Sequence, residues 1–170
     1  MKPNTIITTL AVVIVLAVLF MWGYAGKGST AASVQNAGGP VSTSALTSAE
    51  RFHDFGTISM ARGTVVKMFE IANPTNRDIT LESLTTSCMC TNAFIVKSGE
   101  RRGPYGMPGH GGSVPKANEL VRAGEKLTIA VVYDPGAHGP AGVGSIDRFV
   151  YLEDDTGAKL ELEIKANVTP

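Results

Sequence analysis

The sequence predicts an all-β protein: an immunoglobulin-like β-sandwich of about seven strands, preceded by one N-terminal transmembrane helix. Three observations carry this. After residue 50, short runs alternate apolar and polar residues and close on turn signals at regular spacing. No helix-length window in that region repeats with a helical period. Residues 6–24 are apolar and carry no charge. The chain has 170 residues, 15 Lys+Arg against 15 Asp+Glu, 44% apolar and 18% charged residues. That length suits one folded domain. The balanced charge argues against a nucleic-acid partner, which needs a basic surface. The apolar share is too high for a wholly disordered chain.

The N-terminal run comes first. At about 1.5 Å per residue, a helix over residues 6–24 covers roughly the 30 Å of a bilayer core. Trp22 and Tyr24 stand at one end, where amphipathic rings favour the interface. Lys2 and Lys27 flank the run on both sides, so charge does not decide its orientation. Its length exceeds the roughly 7–15 residues of a signal-peptide core, which favours an uncleaved anchor. Gly23-Tyr24-Ala25 nevertheless has the small-x-small form of a cleavage site. Either way the remainder is exported. Residues 28–49 carry no charge and are rich in Ser, Thr, Ala and Gly. Such a segment buries too little apolar surface to offset its ordering entropy, and reads as a tether spanning on the order of 25 Å. The chain thus divides into an anchor (1–27), a linker (28–49) and a sandwich domain (50–170).

Within the domain, Phe52 and an Asp54-Phe55-Gly56 turn open the first unit. Residues 64–71 read as a strand with Val66 and Met68 facing inward, closed by Asn73-Pro74-Thr75-Asn76. Residues 79–84 and 91–96 alternate in the same way. Residues 126–133 follow, closed by Asp134-Pro135-Gly136, then 147–152, closed by Asp154-Asp155-Thr156-Gly157. In the last strand, 159–168, Leu160, Leu162 and Ile164 alternate with Glu161, Glu163 and Lys165, giving one buried and one wet face. Residues 98–115 break the rhythm with a Gly- and Pro-rich stretch. It reads as a long loop, of the kind that often serves recognition. It carries Arg101, Arg102, Tyr105, Met107 and His110.

Cys88 and Cys90 are the only cysteines and sit one residue apart, in Thr-Ser-Cys-Met-Cys-Thr. On an extended strand both point to one face, with Cα atoms about 6.6 Å apart, near the outer limit for a disulfide. Three readings stay open: two small reduced thiols packed as hydrophobes, a disulfide closed by a local bend, or a soft-metal site. For the last, Cu(I) is the ion that thiolates and thioethers select. Met107 and His110 are the leading further ligands, with Met89, His53 and His138 also available. Two cysteines alone do not complete a tetrahedral zinc site.

At these residues the chain resembles a family. His53-Asp54-Phe55-Gly56-Thr57-Ile58 is followed by Gly63, by Phe69-x-Ile71-x-Asn73, by Leu81 and by Thr86-Ser87-Cys88-Met89-Cys90-Thr91. Ala123-Gly124-Glu125 then precedes a strand ending Tyr133-Asp134-Pro135. Over roughly residues 52–168 this is similar to the bacterial domain of unknown function 1573, an exported immunoglobulin-like domain akin to the ASH/MSP/HYDIN sandwiches. The resemblance implies fold and export and no reaction. Met89 stands where the family usually has Gly, and the 98–115 stretch is longer than the family's usual connection.

There is no Gly-x-Ser-x-Gly elbow, P-loop, dinucleotide fingerprint or His-Glu-x-x-His motif. Gly109-His110-Gly111-Gly112 lacks a nucleophile partner, and the Glu153-Asp154-Asp155 run reads as turn chemistry. The expected function is a non-catalytic binding or structural module, membrane-tethered outside the cytoplasm at the periplasm or cell surface. It is secreted if the N-terminal segment is cleaved. Its expected partner is a protein or peptide, met by strand edges and by a binding loop of Arg101, Arg102, Tyr105 and His110. The alternative is an extracytoplasmic copper(I)-binding or thiol-redox protein using Cys88 and Cys90.

Overall fold

The computed structural model of the protein describes residues 43–109 and 116–170. The described strands are β1 (Thr47–Ser48), β2 (Phe52–Ser59), β3 (Val65–Ala72), β4 (Ile79–Thr86), β5 (Thr91–Lys97), β6 (Glu100–Tyr105), β7 (Glu119–Val121), β8 (Lys126–Tyr133), β9 (Gly144–Asp154) and β10 (Lys159–Thr169). They form two five-stranded sheets, ordered β1-β3-β8-β5-β6 and β2-β10-β9-β4-β7. The all-β expectation is borne out. Two 3-10 turns, Met60–Arg62 and Gly139–Gly142, are the described helical elements. No helix among the described residues is long and apolar enough to cross a membrane. The expected N-terminal helix lies outside the described residues.

The core forms where the inward faces of the two sheets meet. From one sheet come Phe69, Ile71, Leu127, Ile129, Val131 and Ile95; from the other come Leu81, Leu84, Val150, Leu152, Leu160, Leu162 and Ile164. The alternation read in β10 is the one observed: its leucines are buried and Glu161 is exposed. The β9–β10 hairpin turns on Asp154. Its Oδ1 accepts hydrogen bonds from the Thr156 amide, the Thr156 hydroxyl and the Ala158 amide, at 2.9, 2.5 and 3.2 Å.

Two β-bulges change which residues face inward. In β2, Asp54 pairs with Lys165 but Thr57 pairs with Asn167, so Phe55 and Gly56 together oppose Ala166. The expected turn at Asp54-Phe55-Gly56 is therefore a bulge inside a strand, with Gly56 at φ +67° and its amide bonded to Asp54 Oδ1. In β4, Leu81 pairs with Asp154 and Ser83 with Glu153, so Glu82 is the extra residue. A one-residue shift exchanges the two faces. Ile79 and Leu81 are buried before the bulge; Leu84, Thr86 and Cys88 are buried after it.

Three expectations are corrected. In β3 the inward residues are Phe69 and Ile71; Val66 and Met68 point outward and are 50% and 54% exposed. The larger Phe69 and Ile71 take the core, and Lys67 on their face reaches out to Glu50 at 2.7 Å. Next, residues 43–49 belong to the fold and not to a linker. Leu46 is fully buried, and the Ser44 hydroxyl donates to Asp154 Oδ2 at 2.5 Å. Last, the expected loop 98–115 contains β6, an edge strand paired with β5. Its Gly103 is required there. At φ +133° a Cβ would lie 2.9 Å from Phe94 Cδ1 and 3.0 Å from the Ala93 carbonyl.

Candidate functional site

The cysteines lie in the tight turn that leaves β4 in one sheet and enters β5 in the other. Backbone bonds hold this turn on both sides. The Thr91 amide donates to the Cys88 carbonyl at 3.1 Å, and the Asp134 amide donates to the Cys90 carbonyl at 2.9 Å. Ser87 and Phe149 pair twice, through Ser87 N–H to the Phe149 carbonyl and Phe149 N–H to Ser87 Oγ, each 2.9 Å. The buried Thr86 hydroxyl reaches the Thr91 carbonyl at 2.9 Å and the Cys88 carbonyl at 3.0 Å. The turn brings the two Cα atoms to 5.3 Å, and Cys88 and Cys90 are joined by a disulfide. Of the three readings open at the sequence, the local bend is the one the structure adopts.

Two side chains flank the pair, one at each sulfur. His138, at the entry to the Gly139–Gly142 turn after β8, is exposed and places Nε2 3.3 Å from Cys88 Sγ. Arg148 donates from Nε toward Cys90 Sγ at 3.4 Å and from Nη1 to the Asp147 carbonyl at 2.8 Å. Arg148 occupies an inward position of β9, in step with Ile146, Val150 and Leu152. No carboxylate among the described residues lies within ion-pair distance of it. Its charge is felt in the core: burial pushes the Tyr133 hydroxyl up, and the Arg148 guanidinium partly offsets that. A cleft of about 280 Å³ opens beside the pair, walled by His138, Gly142, Val143, Ser145, Ile146 and Arg148.

The sequence-predicted ligand set is assembled differently from expectation. Cys88, Cys90 and His138 offer donor atoms within 4.8 Å of one another. Met107 is half-buried past the end of β6, and His110 lies outside the described residues. His53 is elsewhere, on β2, edge-on to Phe55 with ring centroids 4.7 Å apart. Met89, between the cysteines, is 52% exposed.

The expected binding loop is not a free loop where it is described. Tyr105 is 3% exposed and sits in the core. Arg102 is held by Glu119 Oε2 at 2.8 Å and by the Ala117 carbonyl. Arg101 lies over the Phe94 ring at 3.5 Å. Reading the sequence missed Arg148. Its signal was a cation at an inward position of an alternating strand, where an apolar residue is the default.

No family model and no curated protein matches the chain. Solved structures do. A protein of unknown function from Porphyromonas gingivalis W83 aligns with a TM-score of 0.53 at 16% identity, covering 77% of this chain and 50% of that one. The secreted serine protease VesC from Vibrio cholerae aligns with a TM-score of 0.45 at 13% identity, covering 77% and 24%. The periplasmic chaperone SfaE aligns with a TM-score of 0.39 at 8% identity, covering 74% and 58%. The chain therefore spans half the length of the Porphyromonas protein. At 16% identity the likeness to the Porphyromonas protein is one of fold.

Proposed function

We propose that the chain is a membrane-tethered, extracytoplasmic immunoglobulin-like module that acts by contact and not by chemical turnover. In this reading it belongs with the domain of unknown function 1573. The observation that carries the proposal is the uncharged apolar run over residues 6–24 ahead of a two-sheet β-body. That run supplies the anchor, and the described residues supply strand edges and loops for contact.

The partner is a protein or peptide. Among the described residues, β1 pairs with Ala72 and Ile71 of β3 alone, and the rest of that edge of β3 is the one on which an added strand would pair. The test uses the full chain in a Gram-negative host. After tris(carboxyethyl)phosphine reduction of osmotically opened cells, a membrane-impermeant maleimide should label Cys88 and Cys90 without lysis, and the protein should sediment with membranes. Labelling that appears only after lysis contradicts the proposal.

A second reading is favoured by the Cys88–Cys90–His138 group. Two electrons and two protons from an external dithiol, which is itself oxidised to a disulfide, convert the pair to a dithiol. Loss of those protons then leaves two thiolates and an imidazole, a donor set suited to a soft monovalent ion such as Cu(I). Cu(I) titration of the reduced chain should show tighter binding than the Cys88→Ser/Cys90→Ser and His138→Gln chains. Equal binding by all three removes copper from the account.

A further inference from the structure

Building on the redox reading of the pair, we propose that the Cys88–Cys90 disulfide is polarised. An incoming thiolate attacks Cys88 Sγ, and Cys90 leaves as a thiolate held by Arg148. Exchange runs through a mixed disulfide, and its course depends on which sulfur is reachable and which leaves better. Both criteria select the same direction here. Cys88 is 9% exposed and Cys90 1%. The exposed His138 stands at Cys88 Sγ, and His138 and Arg148 also wall a neighbouring cleft whose lining includes neither cysteine. Arg148 sits at Cys90, with its Nε–H aimed at that sulfur.

Arg148 is the second, independent observation. Arg148 is half-buried at the wall of the cleft, and its polar contacts are the Asp147 carbonyl and Cys90 Sγ. Its Nε–H is placed to stabilise negative charge that forms on Cys90 Sγ, and the departing thiolate carries such a charge.

The step balances as written. The reagent's sulfur forms a bond to Cys88 Sγ, the Cys88–Cys90 bond breaks, and its electron pair goes to Cys90 Sγ. A second thiolate, from the same dithiol or from a second small-thiol molecule, then attacks the reagent's sulfur in the mixed disulfide and releases Cys88; Cys88 and Cys90 each take a proton from water. The reagent is oxidised by two electrons and the pair is reduced by two. The reagent's chemistry is that of a thiolate, supplied by a small thiol or by a protein dithiol.

The test uses the oxidised full chain in detergent. In one arm the probe is glutathione; in the other it is a reduced thioredoxin lacking its resolving cysteine. The reaction is acid-quenched, free thiols are capped with N-ethylmaleimide, and the two cysteines are distinguished by fragmentation across Met89. The adduct is expected on Cys88 with the cap on Cys90, in about tenfold excess over the reverse. The faster arm identifies the source of the thiolate. Arg148→Met should slow adduct formation about tenfold, and Arg148→Lys should restore most of the rate. An adduct first on Cys90, or an even split, overturns the polarity while the pair stays redox-active. No adduct in either arm overturns both this proposal and the redox reading, and leaves the contact module standing.

Discussion

Asp154 shows how one side chain closes the β9–β10 hairpin and binds the segment ahead of β1. Burial raises its carboxyl pKa, but hydrogen bonds from Ser44, Thr156 and Ala158 together outweigh that and hold it below its ordinary value. A carboxylate whose folded pKa is depressed contributes stability that is complete above the unfolded value. That stability is lost as pH falls from about 3.9 through the folded value. Asp154→Asn should therefore destabilise the domain by about 1–3 kcal/mol at neutral pH and weaken the acid dependence of its unfolding, as read by urea titration between pH 7 and 2. An unchanged acid limb would show that other carboxylates dominate. Asn73 has a similar role. Its side chain donates to the Arg77 and Val121 carbonyls and accepts from the Thr75 amide and hydroxyl. The turn at Asn73-Pro74 was legible in the sequence because Asn and Pro are turn formers. Its second task, tying β3 to β7, was not, because it depends on a strand 48 residues away. Asn73→Ala should cost about 1–3 kcal/mol by leaving buried carbonyls unpaired, measured as a shift in urea midpoint at constant slope.

At the scale of elements, what the sequence revealed depended on whether one face was plainly polar. β10 alternates leucine and isoleucine with charge and was legible in type and in facing. β3 reads Val-Val-Lys-Met-Phe-Glu-Ile-Ala, with apolar residues on both faces, so its facing was decided by pairing with β8 and not by pattern. The observed register predicts an asymmetry. Val66→Thr or Met68→Thr should change stability by less than about 0.5 kcal/mol, whereas Phe69→Ala should cost about 3–5 kcal/mol. Similar losses at all three sites would contradict the register. β6 was hidden because Gly103 and Pro104 argue against a strand, and an edge strand needs only one partner. It is fastened to β7 of the other sheet through Glu119, which is 7% exposed and meets Lys97 and Arg102, each at 2.8 Å. Glu119→Gln removes the carboxylate partner of Arg102, while Lys97 keeps Glu125 at 3.0 Å. It should loosen β6 before the rest of the sandwich, seen as faster amide exchange at Arg101–Tyr105 than at Leu127–Tyr133.

For the whole molecule, the two-sheet architecture was legible from many short alternating runs without helical periods. The placement of the site was not. The bulge at Glu82 sets the inward facing of Leu84 and Thr86 that leads into the cysteine turn, and bulges leave little trace in a single sequence. In the described body the Ser44–Asp154 contact lies at one end of β9, and the group of Cys88, Cys90, His138 and Arg148 lies about 20 Å along that strand. The most direct measurement of the proposed tether is flotation of the full-length chain with lipid vesicles, compared with a chain that lacks residues 1–27. The account predicts that the full-length chain floats with the vesicles through an alkaline carbonate wash and that the shortened chain does not. A full-length chain left in the soluble fraction, or a shortened chain that floats equally, would contradict it.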